Sequence, residues 1–183
     1  SRRDFTVNSM ALELTGAEPE FIDPFGGLED LAKKVLRTPA SAEQSFSDDP
    51  LRMMRAARFA SQLDFEIAPD VLVAMKSMTD RISIISAERV RDEFVKILMS
   101  QNPRTGITLL VETGLAAIVL PEIPKLQLEI DEHHHHKDVY EHSLTVLEQA
   151  IALEHRLDGP NLVSRLAALL HDIGKPKTRA LID

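Results

Sequence analysis

Cysteine is absent from the 183 residues. That absence excludes disulfide frameworks, thiolate zinc sites and cysteine nucleophiles together, and it fits a reducing compartment, so a cytoplasmic protein is expected. No apolar stretch approaches the roughly 18 uncharged residues of a membrane-spanning helix, and the amino terminus lacks a signal peptide's apolar core, so no membrane partner is expected. Basic residues are in deficit, with 21 Lys and Arg against 29 Asp and Glu and a formal net charge of −8. A uniformly basic nucleic-acid-binding surface is thereby excluded, and any RNA site must be a local patch. Internal repeats are missing, and the longest low-complexity tract is the His133–His136 run. What is present, 44% hydrophobic and 27% charged residues, is the composition of an ordinary folded chain of one large or two small domains.

The opening 40 residues read as mixed structure. Phe5 to Leu14 is strand-like, Asp23-Pro24-Phe25-Gly26-Gly27 is turn chemistry, Leu28 to Leu31 begins a short helix, and Val35 to Thr38 is a second strand candidate. From about residue 48 apolar residues recur at three- and four-residue spacings, as in Leu51, Met54, Ala57 and Phe59, which predicts helix. Further helices are expected over 69–78, 87–99, 103–113, 140–157 and 161–173. Gly114 and Gly174 stand where left-handed caps would end two of them, with Pro176 blocking continuation of the last. Pro121 to Pro124 and the polar His-rich stretch 131–138 suggest a linker or lid. Residues 121–160 hold 3 basic and 9 acidic side chains, so the rear of the chain is the more acidic part. The expected architecture is mainly α, divided at 1–40, 41–120 and 121–183. The abrupt first and last residues suggest an excerpt of a longer protein.

Two constellations carry chemistry. In Ser47-Asp48-Asp49-Pro50-Leu51-Arg52 an Asp can cap a helix whose first position suits proline. Asp49 and Arg52 are then neighbours on one helix face, with Arg55 and Arg58 continuing at three-residue steps. A carboxylate offers acceptors and a guanidinium a rigid fork of donors, so the pair can address the edge of a nucleobase while Arg55 or Arg58 holds phosphate. The same spacing also describes a capped helix with intrahelical ion pairs. Arg2-Arg3-Asp4 beside a strand is similarly open, either binding phosphate and ribose or simply solvated. The second constellation is His142 with His171-Asp172 at the end of an apolar helix. These are good ligands for a divalent transition metal able to activate water for attack on a phosphate ester, or else a packed histidine beside a solvated terminal carboxylate.

Taken in order, Arg2-Arg3-Asp4-Phe5-Thr6-Val7-Asn8-Ser9-Met10-Ala11, Asp23-Pro24-Phe25-Gly26-Gly27-Leu28-Glu29-Asp30-Leu31, Asp48 to Ala60, and Glu88-Arg89-Val90-Arg91-Asp92-Glu93 resemble the bacterial-type tRNA nucleotidyltransferase and poly(A) polymerase family. Asp138 to Leu144 with Leu169 to Pro176 resemble the HD phosphohydrolase domain that some members carry after the neck. The resemblance implies the end of an α+β nucleotidyltransferase head, a helical neck and the start of an all-α HD domain. It implies that Arg3 and Asp4 contact the nucleotide around its ribose, that Asp23, Gly26 and Gly27 form a hinge, and that Asp49 and Arg52 read the base of CTP or ATP. Arg55 and Arg58 would lie nearer the triphosphate, and His142, His171 and Asp172 would hold a metal beneath a polar His133–His136 lid. The implied activity is CMP and AMP addition to tRNA 3′ ends. Asp48 stands where the family usually has Glu. The family's phosphate loop and its two magnesium-binding carboxylates would lie upstream of Arg2, so the 183 residues alone are expected to add no nucleotide. An HD-type phosphohydrolase acting on RNA ends or nucleotides, and a non-catalytic helical RNA-binding module, are the alternatives. The HD family's further Asp on a later helix has no clear counterpart.

Overall fold

The computed structural model describes residues 3–15, 18–127 and 139–178, so His133–His136 and Asp183 lie outside the described residues. Helices dominate. The expected strand from Phe5 is interrupted at once: the Asp4 carboxylate accepts the Phe5 N–H at 2.9 Å and the Asn8 side-chain amide at 3.1 Å. This local bonding turns the chain into a short 3-10 helix, Thr6–Asn8, and leaves only Ala11–Glu13 (β1) extended. β1 pairs antiparallel with Glu20–Ile22 (β2), and both strands are exposed along their whole length.

Helix α1, Gly27–Lys33, begins where the Asp23 carboxylate accepts the Gly27 and Leu28 N–H groups at 2.7 and 2.9 Å. The Leu28 and Gly27 donors hold the Asp23 pKa below the usual carboxylate range. Gly26 takes the left-handed conformation (φ 71°) that the turn requires. A Cβ on Gly27 would lie 2.4 Å from the Thr6 carbonyl oxygen, so only glycine lets residues 5–9 dock on α1. Thr6 fixes that docking, donating its N–H to Arg37 O and its hydroxyl to Asp30 Oδ2.

The second strand candidate shortens to Val35–Leu36 (β3), which pairs in parallel with Glu66–Ile67 (β4). Between them lie two helices, α2 (Ala42–Asp48), capped by the Ser41 hydroxyl, and α3 (Leu51–Leu63). Asp49 closes α2 and accepts the Leu51 N–H at 3.2 Å, while Pro50 sits one residue outside α3 with helical torsions. Met53, Met54, Ala56, Ala57 and Ala60 of α3 are all at most 1% exposed and form the middle of the core.

Around α3 stand α4 (Pro69–Ser77), α5 (Ala87–Leu98), α6 (Pro103–Glu112) and α7 (Leu115–Val119). Gly114 adopts φ 82° between the last two, as its position after the helical pattern predicts. The rear of the chain pairs α8 (Val139–Ala152) with α9 (Leu162–Leu170), whose N-cap Asn161 accepts the Ser164 N–H. The expected helix to residue 157 stops at Ala152 and gives way to a 3-10 turn, Glu154–Arg156. Gly174 does not take a left-handed cap conformation; the chain turns and resumes as α10, Lys175–Thr178, with Pro176 early in it, where its missing N–H has no helical partner. Among the described residues no helix is long and apolar enough to cross a membrane.

Candidate functional site

The first constellation gathers at the start of α3, where four elements contribute side chains. Asp49 and Arg52 are held from different directions. Asp49, one-third exposed, meets the Arg89 guanidinium of α5 at 3.3 Å. Arg52 is 8% exposed and donates Nη1 to the Ser45 hydroxyl at 2.9 Å and the Ser45 carbonyl at 3.3 Å. An acceptor and a donor fork thus sit one turn apart, each braced by another helix. Such bracing lowers the conformational cost of presenting them to a ligand.

Arg55 and Asp4 meet across 51 positions of sequence: both Arg55 Nε, at 2.8 Å, and Arg55 Nη2 donate to Asp4 Oδ2. Asp4 is 6% exposed. Burial pushes its carboxyl pKa up, but the Arg55 and Asn8 hydrogen bonds, the Arg55 charge and the Phe5 N–H outweigh burial and leave it below the ordinary value. Asp4, which the resemblance places at the ribose with Arg3, faces Arg55 in this structure, and Arg3 before it is exposed. Phe5 and Phe59 meet edge to face at 5.7 Å, and Arg58 lies over the Phe59 ring at 4.2 Å.

Arg58 also turns inward. It is 8% exposed and pairs with Glu93 of α5, which is 3% exposed, at 3.0 Å. Desolvation pulls the Arg58 pKa down against the raising effect of Glu93. The resemblance puts Arg58 near the triphosphate; in this structure its guanidinium faces the buried Glu93 carboxylate. Glu93 and Arg89, four residues apart on α5, are the partners that spacing within the Asp48 to Ala60 segment alone could not reveal. Their i,i+4 arrangement on one helix face was the available signal.

The second constellation comes together at the α8–α9 end. His171 Nε2 lies 3.2 Å and His142 Nε2 3.9 Å from Asp172 Oδ2. One donor atom from each of the three residues lies within 4.8 Å of the others, and among the described residues this is the group with metal-binding reach. His171 Nδ1 is 2.8 Å from the Ala168 carbonyl. A carbonyl only accepts, so Nδ1 carries the proton at that contact, which leaves Nε2 as the ring atom facing Asp172. The donor set fits a divalent transition ion. Lys175 Nζ competes for the same oxygen, donating to Asp172 Oδ2 at 2.6 Å.

The described elements run from a front part around α1 through a helical middle built on α3 to a rear helix pair, and each part matches a known family model. Residues 1–37 match the Poly A polymerase head domain, residues 64–126 the probable RNA and SrmB-binding site of polymerase A, and residues 139–182 the HD domain. The chain belongs to the bacterial-type tRNA nucleotidyltransferase and poly(A) polymerase family. It is 41% identical over 181 residues to the multifunctional CCA protein of Neisseria gonorrhoeae strain NCCP11945, a match covering 97% of this chain and 42% of that protein. It is 39% identical over 184 residues to the A-adding tRNA nucleotidyltransferase of Deinococcus radiodurans, covering 98% and 41% respectively. Among solved structures, the Bacillus stearothermophilus CCA-adding enzyme in complex with CTP superposes with a TM-score of 0.64 at 34% identity, covering 92% of this chain and 41% of that one. The chain thus spans about two-fifths of the length of the curated relatives it matches.

Proposed function

We propose that the full-length protein adds CMP and AMP, taken from CTP and ATP, to tRNA 3′ ends, and that Asp49 and Arg52 select the base. The observation that carries this reading is the separate bracing of the two groups, Asp49 by Arg89 and Arg52 by Ser45. A fixed acceptor and a fixed donor fork complement the amide-like edge of cytosine or adenine. A wrong base leaves one of them unpaired, at about 1–3 kcal/mol per mismatch. Arg55 stands one turn further along α3 with its side chain a third exposed, the most accessible of the three arginines on α3 and the one assigned to a phosphate. Residues 1–40 would then belong to the head, 41–120 to the neck and 121–183 to the HD unit, with Asp23, Gly26 and Gly27 the hinge.

The magnesium expected in the head finds no ligand set among the described residues of the front part. Asp4, Asp49 and Glu93 are each matched to an arginine, and no step of transfer is assigned to a metal held by them. The test of the reading is kcat/KM for CTP and ATP against UTP and GTP in the full-length enzyme. Asp49→Ala and Arg52→Ala are expected to reduce discrimination by about 10–200-fold. An unchanged ratio in both variants overturns the assignment.

The HD cluster supports a second activity in the same protein, hydrolysis of a phosphate ester on an RNA end or nucleotide. His142, His171 and Asp172 would hold the ion, with Ala168 O fixing the His171 tautomer. What such an ion supplies when bound is Lewis acidity toward the phosphoryl group.

A further inference from the structure

Helix α5 holds two side chains of the first constellation: Arg89 in its first turns meets Asp49, and Glu93 meets Arg58. Its far end is fixed by a residue of the HD unit. Arg165 of α9, 3% exposed, donates Nη1 to the Leu98 carbonyl and to the Ser100 carbonyl, each at 2.7 Å. These oxygens lie at and just beyond the last residue of α5, where helical carbonyls have no partner of their own and a cation is favoured. The other edge of the same guanidinium is clamped by Glu154, at 2.7 Å through Nε and 2.6 Å through Nη2. Glu154 Oε1 also accepts the Asn161 N–H at 3.0 Å, which ties the clamp to the start of α9.

We infer that Arg165 is a positioning residue for nucleotide selection: it fixes α5 along its axis, and α5 in turn orients Asp49. The inference rests on the base-reading role proposed for Asp49. A planar fork can hold two carbonyls on one edge and a carboxylate on the other. A lysine, as a point charge, cannot keep both in register. Leu98 and Arg89 are nine positions apart on a helix of 12 residues, a separation of about 14 Å along the axis. A slip of roughly 1 Å at the anchored end would carry Arg89 and Glu93 out of hydrogen-bonding distance of their partners. The HD unit thereby acts on base choice without touching the nucleotide.

The experiment uses the full-length enzyme and reads the ratio of kcat/KM for CTP to that for UTP, with KM and kcat separated. Arg165→Lys is expected to lower the ratio about 3- to 30-fold, chiefly through KM for CTP. The Arg165→Lys/Arg89→Ala double variant should be no worse than Arg89→Ala alone, because both act through one helix. Arg104→Ala, which cuts the exposed link from α6 to Glu141 and Glu148 on α8 but does not touch α5, should leave the ratio unchanged. Should Arg165→Lys fold poorly, Arg165→Met/Glu154→Gln removes the fork without stranding a buried carboxylate, and the same loss is expected. If Asp49→Ala collapses the ratio while the Arg165 variants leave it intact, the positioning role is refuted and the base-reading role stands. An equal effect of Arg104→Ala refutes it too, reducing Arg165 to a general tether. If Asp49→Ala itself changes nothing, the base-reading assignment falls and takes the inference with it.

Discussion

Removing Glu93 should destabilise the protein more than removing its partner Arg58. The two side chains are 5% and 10% exposed, so the pair is desolvated on both sides. Glu93→Ala strands the guanidinium: Arg58 Nε already has no partner, and the Arg55 charge nearby works against it. Breaking a buried pair from one side costs about 3–5 kcal/mol, and this arrangement belongs at the upper end. Arg58→Ala leaves Glu93 with a second cation, Lys96 at 3.1 Å, half exposed. That remaining partner should reduce the cost by about 1 kcal/mol, although contact with the Phe59 face is lost as well. The double replacement Arg58→Met/Glu93→Leu removes both charges and fills similar volume, so it should lie within about 1 kcal/mol of wild type or exceed it. Urea unfolding followed by circular dichroism, with unchanged m, measures all three. Single-variant costs below about 1 kcal/mol, coupled with a large loss of CTP affinity in Arg58→Ala, would refute the reasoning and return Arg58 to the triphosphate.

Three further outcomes follow from the same contacts. Gly106→Ala should cost about 1–3 kcal/mol in urea unfolding despite a better helix propensity, since its Cβ would lie 2.2 Å from Ser61 Oγ and 2.6 Å from Ile97 Cγ2; Ser61→Ala should recover part of the loss. Asp4 has a depressed folded pKa, so its contribution is complete above the unfolded value near 4 and disappears as pH falls through the folded value; Asp4→Asn should be less stable at pH 7 and show a flatter acid limb in a series of unfolding midpoints. Calorimetric titration with Mn²⁺ or Zn²⁺ should give affinity lowered at least about tenfold by His171→Ala. In the same titration Lys175→Met should bind more tightly than wild type, because Asp172 Oδ2 is released from the ammonium.

The parts of this architecture that local rules control were legible in the chain. The turn from Asp23 to Gly27, the Gly114 turn and the apolar spacing of α3 to α6 each follow from neighbours within a few positions. The His142, His171 and Asp172 grouping was legible through the likeness of 138–144 and 169–176 to the HD domain, and the α8–α9 pair brings the three together. What escaped depends on groups distant in sequence. Asp4 reads as a solvated or ribose-binding carboxylate until Arg55, 51 residues later, is folded against it. Arg165 carries no motif at all, and its two partners on α5 and just beyond it are backbone carbonyls, which leave no trace in residue identity. The misread strand at Phe5 has a similar origin: β-forming side chains lost to a carboxylate that bonds its own following amides.

The β1–β2 ribbon leaves the remainder of the molecule by two backbone crossings, one at Met10 and one at Asp23 to Gly26. On the inner side of both crossings the chain is fastened, at Thr6 to Asp30 and Arg37, and at Gly27 by direct contact with Thr6. A body attached through two adjacent crossings swings about the line joining them and resists torsion, as a door does on two pins. Any load on the ribbon is therefore delivered to the Thr6–Gly27 seam, which has no room for even a methyl group to cushion it.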